Sequence, residues 1–273
     1  MERIQSAIEK ARARREARPV EPLAPPRGAD PAAVPGPDPW ASLAEYIPVP
    51  EVLRRNRVLT LEGSPEGTPF DMLRTKVLHQ MRTNNWRRLA ITSPNGFCGK
   101  TTLCANLAFS LARQEDLRTA VIDLDMRRPA LGRTLGLPRG PQQFPQALDG
   151  TSDPLRHMLR HGRSLAFGLC GAPVRNPAEL LQSETAQTVL DALEDRLGLN
   201  VVVFDTPPML MTDDMMAFAG NVDCVLLVAA AGTTTVKEID TCERELAAQT
   251  NVLGVVLNKC RYPEHDHSYG YYG

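Results

Sequence analysis

The stretch Leu89 to Thr102, LAITSPNGFCGKTT, constrains this chain more than any other. Leu89, Ala90 and Ile91 have the apolar character of a buried strand. A loop follows, and Gly99-Lys100-Thr101-Thr102 leads into the apolar helical run Leu103 to Leu111. Strand, loop, Gly-Lys-Thr and helix is the layout of a phosphate-binding loop. Loop amides and a helix N-terminus direct partial positive charge at a polyphosphate. Lys100 would reach the terminal phosphates, and the Thr101 hydroxyl would ligate Mg2+. The strict pattern wants a glycine five residues before Gly99, where Pro94 stands; glycine occurs instead at Gly96. The rest of the chain must therefore carry the assignment.

Two further strands deliver acids. Ala120, Val121 and Ile122 run into Asp123 and Asp125, and Val201 to Phe204 run into Asp205. In an open α/β sheet, ligands bind at the carboxyl ends of strands. Asp123 and Asp125 can thus face one Mg2+–phosphate site, or they can cap the helix after Pro129. Asp205 occupies the Walker-B position, holding Mg2+ or a water bound to it. Asp213 and Asp214 read as a helix N-cap. Val225 to Val228 and Val252 to Leu257 read as two more buried strands, with a helix Val236 to Ala248 between them. Leu165 to Leu169 reads as a strand, and helices are expected over Ala178 to Gln182 and about Ala186 to Leu197. Ahead of the loop strand, Thr68-Pro69 signals a helix start, with Thr68 as N-cap; its apolar face, Phe70, Leu73, Val77, Leu78 and Met81, runs to about Asn84. Strands alternating with helices predict a doubly wound, mostly parallel sheet of the P-loop NTPase type, with helices on both faces.

The ends differ in character. Residues 1–18 set Ile4, Ile8 and Ala11 at helical spacing among arginines, either as a basic amphipathic helix for acidic lipid or a partner, or as a solvated tail. Eight prolines between residues 19 and 39 describe an extended linker. Trp40, Leu43, Tyr46 and Ile47 form an apolar cluster that docks on the domain or a partner. The expected division is a basic segment and linker over 1–58, a folded domain over 59–260 and a tail over 261–273. That tail holds four of the five tyrosines, Tyr262, Tyr269, Tyr271 and Tyr272, and the weak metal-ligand pair His265 and His267. The net charge of −1 provides no field for nucleic acid. The six cysteines are scattered singly, which argues against a zinc site or a disulfide framework. With no 18-residue apolar run and no apolar core near the N-terminus, a cytosolic protein is expected.

In combination, ITSPNGFCGKTT, VIDLDMRRP, NPAELL (Asn176 to Leu181), VVVFDTPP, VLGVVLNK (Val252 to Lys259) and the tyrosine tail resemble the bacterial tyrosine kinase (BY-kinase) family, the CpsD/CapB-type autokinases of capsule and exopolysaccharide export. The resemblance covers about Thr68 to the C-terminus. It implies an ATP and Mg2+ site formed by Asn95, Gly96, Phe97, Cys98, Gly99, Lys100, Thr101 and Thr102. It also implies Asp123 as the base that orients a tyrosine hydroxyl, and Thr101, Asp125 and Asp205 around Mg2+. Tyr262, Tyr269, Tyr271 and Tyr272 would be autophosphorylated in trans within a ring. Accumulated phosphates would then repel the tail from an acidic neighbouring site, and a phosphotyrosine phosphatase would reset it. A membrane chain-length regulator, whose cytoplasmic segment activates the kinase, would hold it at the inner membrane.

The chain departs from the family pattern in three respects. Phe97 stands where a glycine lets backbone approach phosphate. Of the oligomer-helix pattern ExxRxxR, the positions Thr68, Asp71 and Arg74 keep only the last residue. Cys98 near a helix N-terminus is either a redox-sensitive thiol or a small residue that fits. Two rival readings remain. A ParA/MinD-type ATPase shares the sheet and the acidic strand ends but carries a second loop lysine where this chain has Asn95. The other rival is a nucleotide-gated scaffold in which Phe97 has cost catalysis.

Overall fold

The computed structural model describes residues 38–138, 140 and 143–260. The chain divides into two units, Met1–Asp38 and Pro39–Gly273, and the described residues from Pro39 onward belong to the second. The basic segment, almost all of the proline linker and the tyrosine tail lie outside the described residues.

In chain order the strands are β1 (Ala44–Glu45), β2 (Arg88–Thr92), β3 (Thr119–Asp123), β4 (Met158–His161), β5 (Leu165–Gly168), β6 (Val201–Asp205), β7 (Cys224–Ala230) and β8 (Asn251–Asn258). The helices are α1 (Pro50–Arg55), α2 (Thr68–Asn84), α3 (Lys100–Ala112), α4 (Leu131–Thr134), α5 (Pro145–Leu148), α6 (Pro177–Leu181), α7 (Glu184–Leu197), α8 (Asp214–Phe218) and α9 (Val236–Ala247). One sheet runs β1-β4-β5-β3-β6-β2-β7-β8. Every pairing is parallel except β4 with β5. The doubly wound, mostly parallel reading is what the chain adopts.

The period-two alternation of the strands separates two apolar layers. Leu89 and Ile91, Val121, Val203 and Leu226 face the layer containing Leu103, Leu107 and Leu111 of α3. Ala90, Ile122, Val202, Phe204 and Leu227 face the layer containing Leu190, Leu193 and Leu197 of α7. Both faces are covered, so the central strands are continuous apolar runs. Helix α3 is buried nearly all round because the helices beside it also press on it.

The packed unit reaches back to Pro39, about twenty residues before the expected start near Leu59. Trp40, Leu43, Tyr46, Leu53 and Val58 are buried in the core. The Trp40 indole donates to the Gly162 carbonyl at 3.3 Å, and Arg118 stacks over its ring at 5.1 Å. The Tyr46 hydroxyl donates to the Leu135 carbonyl at 2.6 Å. Asn106 of α3 accepts from the Leu59 amide at 2.8 Å and donates to the Arg57 carbonyl at 2.9 Å. A short run of large apolar residues is enough for this docking because β4 offers an edge to β1. Ile47, expected in the same cluster, is 78% exposed.

Two capping expectations are corrected. Thr68 is the first residue of α2 rather than its cap, because Ser64-Pro65-Glu66-Gly67 forms a 3-10 turn that feeds straight into the helix. Asp213 sits at the N-cap position of α8 without a capping hydrogen bond, and Asp214 turns instead to an ion pair.

Candidate functional site

Register aligns the functional strand ends. Ile91 pairs with Asp205, and Asp123 pairs with Asp205 from the other side, so β2, β3 and β6 end together at one edge of the sheet. The loop from Ser93 to Gly99 leaves β2 there and enters α3 at Lys100. Gly99 has φ +92°, which favours glycine, and a Cβ there would come within 2.3 Å of the Asn258 side-chain nitrogen. That nitrogen donates to the Cys98 carbonyl at 2.9 Å. Asn258, at the end of β8, thus props the loop from below. The motif VLGVVLNK contained it, but strand patterning assigns no contact to a residue 160 positions away.

Phe97 adopts φ +63° and turns its ring outward, 85% exposed. Asn95 donates to Glu238 at 2.6 Å, and Glu238 in turn accepts from the Thr235 amide in the capping box of α9. The Cys98 thiol is buried 3.3 Å from the Asn95 carbonyl. All six cysteines are free, five of them buried and Cys260 exposed.

A cleft of about 470 Å³ opens over this loop. Gly96, Phe97, Gly99, Lys100, Thr101, Thr102 and Asp125 line it, as expected, and so do Arg127, Arg128, Arg133, Pro207, Pro208 and Thr212. Asn95, Cys98, Asp123 and Asp205 do not line it. The Lys100 ammonium is 3.9 Å from Asp125. Burial pushes the Asp125 carboxyl upward, opposed by the Lys100 charge.

Asp205 is the least satisfied group. It is fully buried, and neither carboxylate oxygen has a hydrogen-bond partner among the described residues. Burial raises its carboxyl against the pull of Lys100; the Thr101 hydroxyl and Cys104 thiol favour the anion without meeting it at hydrogen-bonding geometry. A buried carboxylate with two open oxygens demands a cation or a proton. With Lys100, the Thr101 hydroxyl and the start of α3 beside it, the donor set suits a hard divalent cation carrying phosphate.

Asp123 departs from the expected role. One of its oxygens accepts from the Asp125 amide at 3.2 Å; the other accepts from Ala130 at 3.2 Å and Leu131 at 3.0 Å. Fully buried, and raised by burial and then by the Asp205 charge, it holds the turn and the start of α4. These bonds match the capping alternative. Arg127 grips the buried Asp214 with two bonds of 2.7 and 2.8 Å. On α2, Asp71 is engaged by Ser110, Arg113 and Arg74, and Arg74 donates to the Ser110 carbonyl at 3.0 Å. The retained part of the oligomer-helix pattern is thus committed within the chain. Among the described residues, no helix is long and apolar enough to cross a membrane.

Residues 89–270 match the model of the CobQ/CobB/MinD/ParA nucleotide binding domain. The tyrosine-protein kinase CpsD of Streptococcus pneumoniae is 30% identical over 66% of this chain and 79% of its own length. The chain belongs to the bacterial tyrosine kinase family. The tyrosine-protein kinase YwqD of Bacillus subtilis is 28% identical over 81% of the kinase and 92% of YwqD. The solved kinase domain of the tyrosine kinase ETK of Escherichia coli superposes with a TM-score of 0.67 at 26% identity, covering 78% of the kinase and 84% of that domain. These relatives decide between tyrosine kinase and partitioning ATPase, which the nucleotide-binding fold alone does not, because both classes share it.

Proposed function

We propose that this kinase transfers the γ-phosphate of Mg·ATP to Tyr262, Tyr269, Tyr271 and Tyr272 of a neighbouring copy, and thereby regulates capsule or exopolysaccharide export. The observation that carries the reading is the buried, unpartnered Asp205 carboxylate beneath a P-loop whose Lys100 and Thr101 open into a single cleft. Thr101 and Asp205 would hold Mg2+, which when bound neutralises charge on the phosphates. Loop amides from Gly96 to Thr102 cradle the phosphates, and Lys100 exchanges Asp125 for the terminal oxygens. A free phenol has a pKa of about 10, so its proton must leave as the oxygen attacks. Asp125, which lines the cleft, would receive it. Asp123 acts through the loop it anchors, as a positioning residue.

Transfer in trans requires that copies meet. The internal ties of Asp71 and Arg74 argue for a contact other than the α2 face. A membrane chain-length regulator would recruit and activate the kinase at the inner membrane, and a phosphotyrosine phosphatase would reverse the modification.

Phosphorylation-site mass spectrometry on the purified chain with Mg·ATP tests the reading, alone and with a candidate regulator's cytoplasmic segment. Phosphate on Tyr269, Tyr271 or Tyr272 that disappears in Lys100→Ala is the expected result. Bound nucleotide with an unmodified tail under both conditions would overturn it.

A further inference from the structure

The rim of the cleft is basic, against the expectation of an acidic neighbouring site. Three arginines follow Asp125 closely, and all three line the cleft. Arg127 is committed to Asp213 and Asp214. Arg128 and Arg133 are both exposed, and neither forms an ion pair with a carboxylate among the described residues. They are also not loosely hung. The Arg128 amide donates to Asp125 at 3.1 Å, and Arg133 sits on α4, whose first amides are held by Asp123. Asp125 and Asp123 thus fix the backbone segments that carry these two guanidinium groups. Lys100 and the loop amides already supply the positive charge that a polyphosphate requires.

We infer that Arg128 and Arg133 form an acceptor subsite that selects tyrosines flanked by carboxylates. This rests on the reading of the chain as a kinase that phosphorylates its tail. The occupant argued for is the tail of a second copy. Its sequence, RYPEHDHSYGYYG, places Glu264 two residues after Tyr262 and Asp266 three residues before Tyr269. In an extended peptide, residues two or three apart span roughly 7–10 Å. That reach lets a tyrosine enter beside Asp125 while its acidic neighbour meets the rim. Arginine suits the task because its planar fork grips carboxylate with two bonds.

The test uses the full chain and two fluorescein-labelled peptides, one with the sequence of residues 261–273 and one carrying Glu264→Gln and Asp266→Asn. In the Arg128→Gln/Arg133→Gln variant, the KM for the acidic peptide should rise about tenfold at low salt, the scale of losing close charge pairs. The KM for the neutral peptide and for Mg·ATP should be the same as in the unsubstituted chain. An equal rise for both peptides, or a rise confined to Mg·ATP, would overturn the subsite and assign the arginines to folding or to nucleotide. Peptide binding read by anisotropy separates this from failure of the kinase reading. If neither peptide is phosphorylated, charge-dependent binding that Arg128→Gln/Arg133→Gln removes would keep the subsite, and charge-independent binding would end it. Arg128→Lys/Arg133→Lys should recover part of the acidic-peptide binding; no recovery would count against charge recognition.

Discussion

Phe97 shows how a single residue can look wrong in sequence and fit in space. Its backbone takes the positive φ that glycine prefers, while its ring stands exposed to solvent at the cleft. Phe97→Gly should therefore stabilise the chain by about 1 kcal/mol, seen as a small rise in Tm, and should leave nucleotide affinity unchanged. A loss of tyrosine phosphorylation in that variant would instead give the exposed ring a partner. Asn258 makes the opposite case, unremarkable in sequence and decisive in space. Removing its hydrogen bond to the Cys98 carbonyl in Asn258→Ala should weaken nucleotide binding about fivefold, from a net bond of about 1 kcal/mol. Fluorescent-nucleotide titration checks this, with Tm as the control for folding. Asp205 carries a trade-off. Its buried, unpartnered carboxylate is a cost in the empty protein, so Asp205→Asn should raise the Tm without Mg·ATP and abolish the additional rise that Mg2+ gives with nucleotide. Equal Mg2+-dependent rises in both proteins would remove Asp205 from the metal site.

Among the elements, the long apolar ones were legible and the short polar-edged ones were not. Helix α2, expected from Pro69 to about Asn84, runs Thr68–Asn84, and α7, expected from about Ala186, runs Glu184–Leu197. β1 and β4 escaped sequence reading because they are only two and four residues long, and the segments around them are broken by glycine and proline. β4 turns back through Gly162, which takes φ +61°, and pairs antiparallel with β5. Its pairing partners define it, not its own pattern. The cluster Trp40, Leu43, Tyr46 and Ile47 reads as docking on the domain or a partner, yet residues up to 58 read as lying outside the domain, since a proline linker precedes them and their contacts are distant in sequence. Trp40→Ala should cost about 3 kcal/mol, the usual scale for truncating a buried aromatic, read as a clear drop in Tm by calorimetry. An unchanged Tm would mean that this segment does not belong to the cooperative unit.

At the scale of the whole molecule, site and fold are one arrangement. The loop after β2, the acids after β3 and β6, and Asn258 after β8 meet because parallel strands end on the same side. The cleft is consequently a product of topology, and ligand binding should stabilise the entire packed unit. A non-hydrolysable Mg·ATP analogue at about one hundred times its Kd should add about 2.7 kcal/mol. Chemical denaturation with and without the analogue measures this, and a shift confined to a local probe would contradict it.

Local chemistry was written in the residues themselves. Gly99-Lys100-Thr101 between a strand and a helix, and Asp125 and Asp205 at the ends of apolar runs, named the P-loop and its acids before any fold was known. Those signals are legible because strand burial and helix starts depend on neighbours in sequence. Only the tertiary structure decided which acid faces the cleft, that Asp123 is spent on backbone amides, that Asp214 takes Arg127, and that Arg128 and Arg133 at the rim form no ion pair among the described residues. Those outcomes depend on which groups distant in sequence arrive within hydrogen-bonding distance, and sequence spacing carries no record of that.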